Sequence, residues 1–129
     1  MKMIAIDLGL KRIGLAYSPD GNMVTPLNAI VRKNRNQAAG DVKAVLETWQ
    51  ADSVVIGIPM GGSSEAEMRR RVVHFMNLVG FEKEIFYQDE SDSSLEAEAL
   101  IKGDIAYKRD GRVDSLAAMI ILERFLARH

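Results

Sequence analysis

Ser53-Val54-Val55-Ile56-Gly57-Ile58 is almost entirely apolar and β-branched, and it constrains the fold more than any other segment. A strand with one solvated face alternates polar and apolar residues, whereas a run with no polar face must be covered on both sides. Pro59 and Gly61-Gly62 end it. Helical periodicity flanks it on both sides. Across 36–50, Val42, Val45, Leu46 and Trp49 recur at helical spacing, with Lys43 and Glu47 on the opposite side. Residues 64–79 form a second helical stretch, opened by Ser64-x-x-Glu67 in the pattern of a capping box. An internal strand between helices is the mark of a parallel sheet built by crossovers.

The remaining segments supply that sheet's partners. Residues 1–7 and 12–17 are short strands whose join is bracketed by Gly9 and Gly14. Residues 23–31 form a third strand after the Pro19-Asp20-Gly21-Asn22 turn. Connections this short predict an antiparallel meander. Residues 84–88 form a fifth strand, and Ser93-x-x-Glu96 opens a helix through about residue 101. Residues 102–111 form a charged loop containing the Asp110-Gly111 turn signal. Residues 113–128 form a last helix with Leu116, Ala117, Ile120, Ile121 and Phe125 in its buried stripe. The expected order is β-β-β-α-β-α-β-α-α. It predicts one α/β domain over 1–129, with a mixed five-stranded sheet of three antiparallel strands and then two parallel to the first, and helices on both faces.

Composition narrows the function classes. The chain has 129 residues, 47% hydrophobic and 27% charged, which suffices for one core. No apolar run approaches the ~20 residues needed to span a bilayer, so no membrane partner is expected. The absence of cysteine removes disulfides and thiolate metal sites and agrees with a cytoplasmic setting. The net charge of −1 leaves no global basic field, so a polyanion must be held by local basic clusters. Aromatic content of 6% argues against a platform for stacking bases. His74 and His129 lack metal-ligand spacing.

Acids end or begin elements at three places. Asp7 closes the first strand, Asp89-Glu90 the fifth, and Asp114 heads the last helix. In helix-covered parallel sheets, ligands bind at the carboxyl ends of the strands. Asp7, Glu90 and Asp114, with no histidine or cysteine nearby, favour a hard cation with oxygen ligands, Mg2+ or Mn2+. Such a cation binds phosphate and activates water, and a pair of them stabilises both oxygens of a phosphodiester displacement. Other readings stay open: Asp114 as a helix N-cap or first-turn acid, and Glu90 as a solvated loop acid. Gly9 and Gly14 suit either a plain hairpin or close approach of a phosphate. Lys11-Arg12, Lys108-Arg109 and Arg112 lie near the acids in sequence and are candidate phosphate contacts. Arg32, Lys33 and Arg35 form another basic group, and Arg69-Arg70-Arg71 reads as a solvated helix face.

These motifs resemble a known family. Ile4-Ala5-Ile6-Asp7-Leu8-Gly9-Leu10-Lys11-Arg12-Ile13-Gly14-Leu15-Ala16 resembles the opening motif of the YqgF (RuvX) nucleases. Val54-Val55-Ile56-Gly57-Ile58-Pro59 resembles their central strand, Asp89-Glu90 their D-E-R-x-S-T segment, and Gly111-Arg112-Val113-Asp114-Ser115-Leu116-Ala117-Ala118 their closing motif. The resemblance spans essentially the whole chain in the same order. It implies a ribonuclease H-like fold and metal-dependent nuclease chemistry, with Asp7, Glu90 and Asp114 as catalytic and metal-binding acids. It also implies, as substrate, the 5′ end of precursor 16S rRNA or, as the alternative, a Holliday junction. Ser91 and Asp92 replace the family's arginine and following apolar residue, and the stretch after Pro59 is shortened to Met60-Gly61-Gly62. A monomer or homodimer is expected, and junction resolution would require paired sites. A non-catalytic RNA- or protein-binding module and a nucleotide-binding phosphotransferase are the competing classes.

Overall fold

The computed structural model describes residues 1–91, 97, 99 and 111–128. The strands are β1 (Met3–Leu8), β2 (Arg12–Ser18), β3 (Thr25–Val31), β4 (Ser53–Ile58) and β5 (Glu84–Asp89). The helices are α1 (Arg35–Thr48), α2 (Glu65–Val79) and α3 (Gly111–Arg128). They form one five-stranded sheet in the order β3-β2-β1-β4-β5. β1, β2 and β3 pair antiparallel in sequence, while β4 pairs parallel to both β1 and β5. This is the mixed sheet that the element order predicts. Residues 97 and 99 are helical, and the rest of the helix expected over 93–101 and of the loop over 102–111, apart from residue 111, lies outside the described residues.

All six residues of β4 are buried, as its composition demands. Alternation along the strands sorts side chains onto two faces. Ile4, Ile6, Ile13, Leu15, Val54, Ile56 and Ile58 meet Val42 and Leu46 of α1 and Val72, Phe75 and Met76 of α2. On the other face, Met3, Ala5, Ala16 and Val55 meet Ala118, Ile121, Leu122 and Phe125 of α3. The alanines on this second face bring α3 close to the sheet. Among the described residues, no helix is long and apolar enough to cross a membrane.

Element ends differ from the sequence reading for local reasons. α1 starts earlier because Asn34 caps it: Gln37 N–H donates to Asn34 Oδ1 at 2.7 Å, and Gln37 Oε1 accepts from the Asn34 N–H. The capping box expected at Ser64 does not form, since Ser64 has helical dihedrals and makes no side-chain cap. Glu65 serves that end of α2 instead, accepting the Gly61 N–H at 2.8 Å. Trp49, expected on the buried stripe, lies past the end of α1, partly exposed and packed on Tyr17 with ring centroids 4.5 Å apart.

Candidate active site

Asp7 sits near the end of β1, paired across the ladder with Gly14 of β2. Its parity with Met3 and Ala5 places it on the α3 face. Glu90 immediately follows β5, and its N–H donates to the Ile58 carbonyl at 3.0 Å, continuing the β4–β5 pairing by one step. The Glu90 carboxyl hydrogen-bonds to that of Asp7. Gly57 provides the space for this approach. A Cβ at Gly57 would lie 3.0 Å from both Glu90 Cβ and Oε2 and would overlap Ile121 Cδ1. Sequence reasoning overlooked Gly57, although a lone glycine in a β-branched buried strand signals close approach of another group.

The electrostatics of the pair follow from this geometry. Burial, and then the negative charge and hydrogen bond of Asp7, push the Glu90 carboxyl up to about 8. Two touching carboxyls that tolerate each other by retaining a proton form a place where a cation can substitute for that proton. Their donor set is oxygen only, which suits a hard divalent ion. Glu90 is therefore not a solvated loop acid.

Asp114 is placed differently. It is the fourth residue of α3 rather than its N-cap. Its Oδ2 accepts from Arg12 Nε at 2.8 Å, with side-chain exposures of 13% and 26% for the two partners. Its backbone packs against Gly14, where any Cβ would overlap the Asp114 carbonyl. Asp114 thus lies behind the ladder partner of Asp7 while its carboxylate is held by Arg12. Among the described residues, no group of three or more His, Cys, Asp or Glu is placed to hold a metal ion. The structure brings Asp7 and Glu90 together and leaves the third acid on an arginine that the sequence reading assigned to phosphate.

The turn carrying Glu90 is held from both sides. Asp89 Oδ1 accepts from the Ser91 N–H at 3.1 Å, Ser91 Oγ at 2.7 Å and the Met60 N–H at 3.2 Å. These bonds, led by those from Ser91, hold the Asp89 carboxyl below its ordinary value. Arg124 of α3 donates to the carbonyls of Asp89 and Ser91 at 3.3 and 2.8 Å. Ser91 therefore helps fix the turn that carries Glu90.

An open cleft of about 820 Å³ adjoins the pair, lined by Asp7, Glu90, the 8–10 loop, Arg32, Arg35, Arg70, Arg71, His74 and Phe75 among others. Of the expected phosphate contacts, Lys11 is exposed on the β1–β2 turn and Arg112 falls in the first turn of α3. Lys108, Arg109 and Asp92 lie outside the described residues.

Comparison with known proteins gives a consistent relationship. The RuvX family profile, described as Holliday junction resolvase, matches residues 1–128. A protein of Sulfurimonas denitrificans, provisionally named pre-16S rRNA nuclease, is 70% identical over 126 residues, covering 98% of this chain and 97% of its own. A Sulfurovum protein with the same provisional name is 54% identical over 127 residues, covering 98% of this chain and 99% of its own. Among solved structures, Thermus thermophilus RuvC in complex with a Holliday junction substrate aligns with a TM-score of 0.55 at 16% identity, covering 99% of this chain and 95% of that one. The fowlpox virus Holliday junction resolvase aligns with a TM-score of 0.59 at 12% identity, covering 100% of both chains. These two likenesses bear on the fold.

Proposed function

The chain belongs to the RuvX family of nucleases, and from that premise and the Asp7–Glu90 pair we propose that it is a divalent-metal-dependent endonuclease that processes the 5′ end of precursor 16S rRNA in the cytoplasm. The observation that carries the chemistry is the hydrogen-bonded carboxyl pair bordering a basic cleft, made entirely of oxygen donors. Asp7 and Glu90 would hold the cation, Mg2+ or Mn2+, with Asp114, whose carboxylate is paired with Arg12, as the proposed third acid. The bound ion would supply positive charge to a phosphodiester in transit and acidify the attacking water. The chain's own part is to fix the carboxylates. The ladder holds Asp7, Asp89 and Arg124 hold the turn of Glu90, and Gly57 keeps the space between them open. Lys11, Arg12, Lys108, Arg109 and Arg112 are proposed contacts for the nucleic-acid strand.

The test is cleavage of a precursor 16S rRNA fragment and of a four-way DNA junction, each with Mg2+, Mn2+ or chelator. Wild-type protein should cut the RNA only with metal, and Asp7→Asn should lower turnover by at least about 100-fold while keeping the wild-type thermal melt in chelator. Equal cutting by the variant removes the catalytic assignment. The family description favours a second reading, junction resolution. That reading calls for symmetric cutting by a stable homodimer, whereas rRNA processing is compatible with a monomer.

A further inference from the structure

The lining of the cleft beside the acid pair is rich in arginine. Arg32 follows β3, Arg35 opens α1, and Arg70 and Arg71 lie on α2, so distant segments converge on one lining. None of the four forms a salt bridge with a described residue. Arg69 behaves otherwise: it pairs with Glu65 at 3.2 Å and covers the Tyr87 ring at 4.8 Å. The run 69–71, read from sequence as a solvated face, therefore divides into one neutralised arginine and two that face the cleft.

Burial, and then the nearby charges of Arg35 and Arg71, hold the Arg32 guanidinium below its usual value. Cations gathered without carboxylate partners repel one another, and an anion seated among them relieves that repulsion. Arg32 is already anchored, donating to the Gly9 carbonyl at 2.8 Å and lying 5.5 Å above the centre of the Phe75 ring. Its anchoring ties the lining to the loop that follows Asp7. A second cleft, of about 690 Å³ and formed around Lys2, Asp52 and Gly80, mixes Lys2, Lys43 and Lys83 with Glu47, Asp52 and Glu82. Among the described residues, the excess of arginine over carboxylate falls in the cleft that holds Asp7 and Glu90, in a molecule of net charge −1.

We propose that Arg32, Arg35, Arg70 and Arg71 form a phosphate track that holds the nucleic-acid backbone alongside Asp7 and Glu90, flanking the scissile phosphodiester. This rests on the nuclease reading for its substrate class and adds where the backbone runs. The ligand chemistry is the phosphodiester chain, which precursor rRNA and branched DNA both supply.

The test measures binding without cleavage, in chelator, to a precursor 16S rRNA 5′ fragment and to a four-way DNA junction from 50 to 200 mM salt. The double variant Arg35→Ala/Arg71→Ala leaves the anchored Arg32 in place and should melt like wild type. It should bind about 10-fold or more weakly at 50 mM salt, with the slope of log K against log salt shallower by roughly 2. Arg35→Lys/Arg71→Lys should restore the slope, and Lys43→Ala/Lys83→Ala should leave both quantities unchanged. Loss confined to one nucleic acid supports the track and identifies its substrate. An unchanged slope in the arginine double variant, an equal loss in the lysine control, or no binding of either nucleic acid by wild type overturns it. Wild type that binds through the arginines but cuts neither substrate with metal would overturn the nuclease reading and leave the track standing.

Discussion

Glu90 concentrates the chemistry of the site in one side chain. An ordinary glutamate titrates near 4.5, and here burial beside Asp7 raises the value to about 8. Between those values the folded protein retains a proton that the unfolded chain has released. Stability is therefore lost as pH rises through that window and levels off above it. Glu90→Gln removes this dependence and keeps a donor toward Asp7. In chelator, the variant and wild type should melt together near pH 4.5, and the variant should melt about 3–6 °C higher at pH 8.5. That range corresponds to roughly 1–2 kcal/mol, after allowance for the water that still screens the carboxyl. Scanning calorimetry across the pH range checks it, and parallel curves for the two proteins would show that the pair does not share a proton.

At the scale of elements, the critical contact is α3 on the sheet. Ser115 donates to the Leu27 carbonyl at 2.6 Å and accepts the Leu15 N–H at 3.4 Å, near the register shift between β2 and β3. One helical residue thus pins α3 to two strands. Beside it, Gly14 leaves no room between β2 and the Asp114 backbone, whereas Gly40 on α1 has nothing within 4 Å of a built Cβ. Opposite outcomes are expected for the same substitution. Gly14→Ala must displace helix backbone and should cost about 1–3 kcal/mol, whereas Gly40→Ala should gain about 0.5–1 kcal/mol from helix propensity, both read from urea melts. Similar shifts for both would mean that α3 is not seated on Gly14. The contrast also explains what the sequence could convey. β4 was legible because every residue in it is buried, and Asp7 with Glu90 because parallel strands deliver their ends to one rim. The Arg12–Asp114 pair was not legible, since its partners lie 102 residues apart and meet only where α3 docks. The start of α1 was read one residue late, and its cap was not read, because Asn34 and Gln37 form its box in place of the more familiar serine and glutamate.

For the whole molecule, the two faces of the sheet divide the labour. The face toward α1 and α2 carries most of the core, while the α3 face, lined by small residues, carries the acids. The arginine cleft could not be read from the sequence because it depends on where α1 and α2 land. On the proposed reading, a folded chain that brings Asp7 and Glu90 together would offer a cation a site that the unfolded chain lacks, so its binding would be coupled to global stability. A ligand present at 100 times its dissociation constant stabilises the fold by about 2.7 kcal/mol. For a domain of this size that is a rise of roughly 8 °C in Tm. At pH 8.5, where Glu90 is largely ionised, Mn2+ should raise the Tm of wild type progressively with concentration. The rise should shrink toward pH 6 as protons compete for Glu90. Asp7→Asn should abolish it, while Arg35→Ala/Arg71→Ala should retain it in full. An undiminished rise in Asp7→Asn would place the bound cation elsewhere on the molecule and separate the acid pair from metal binding.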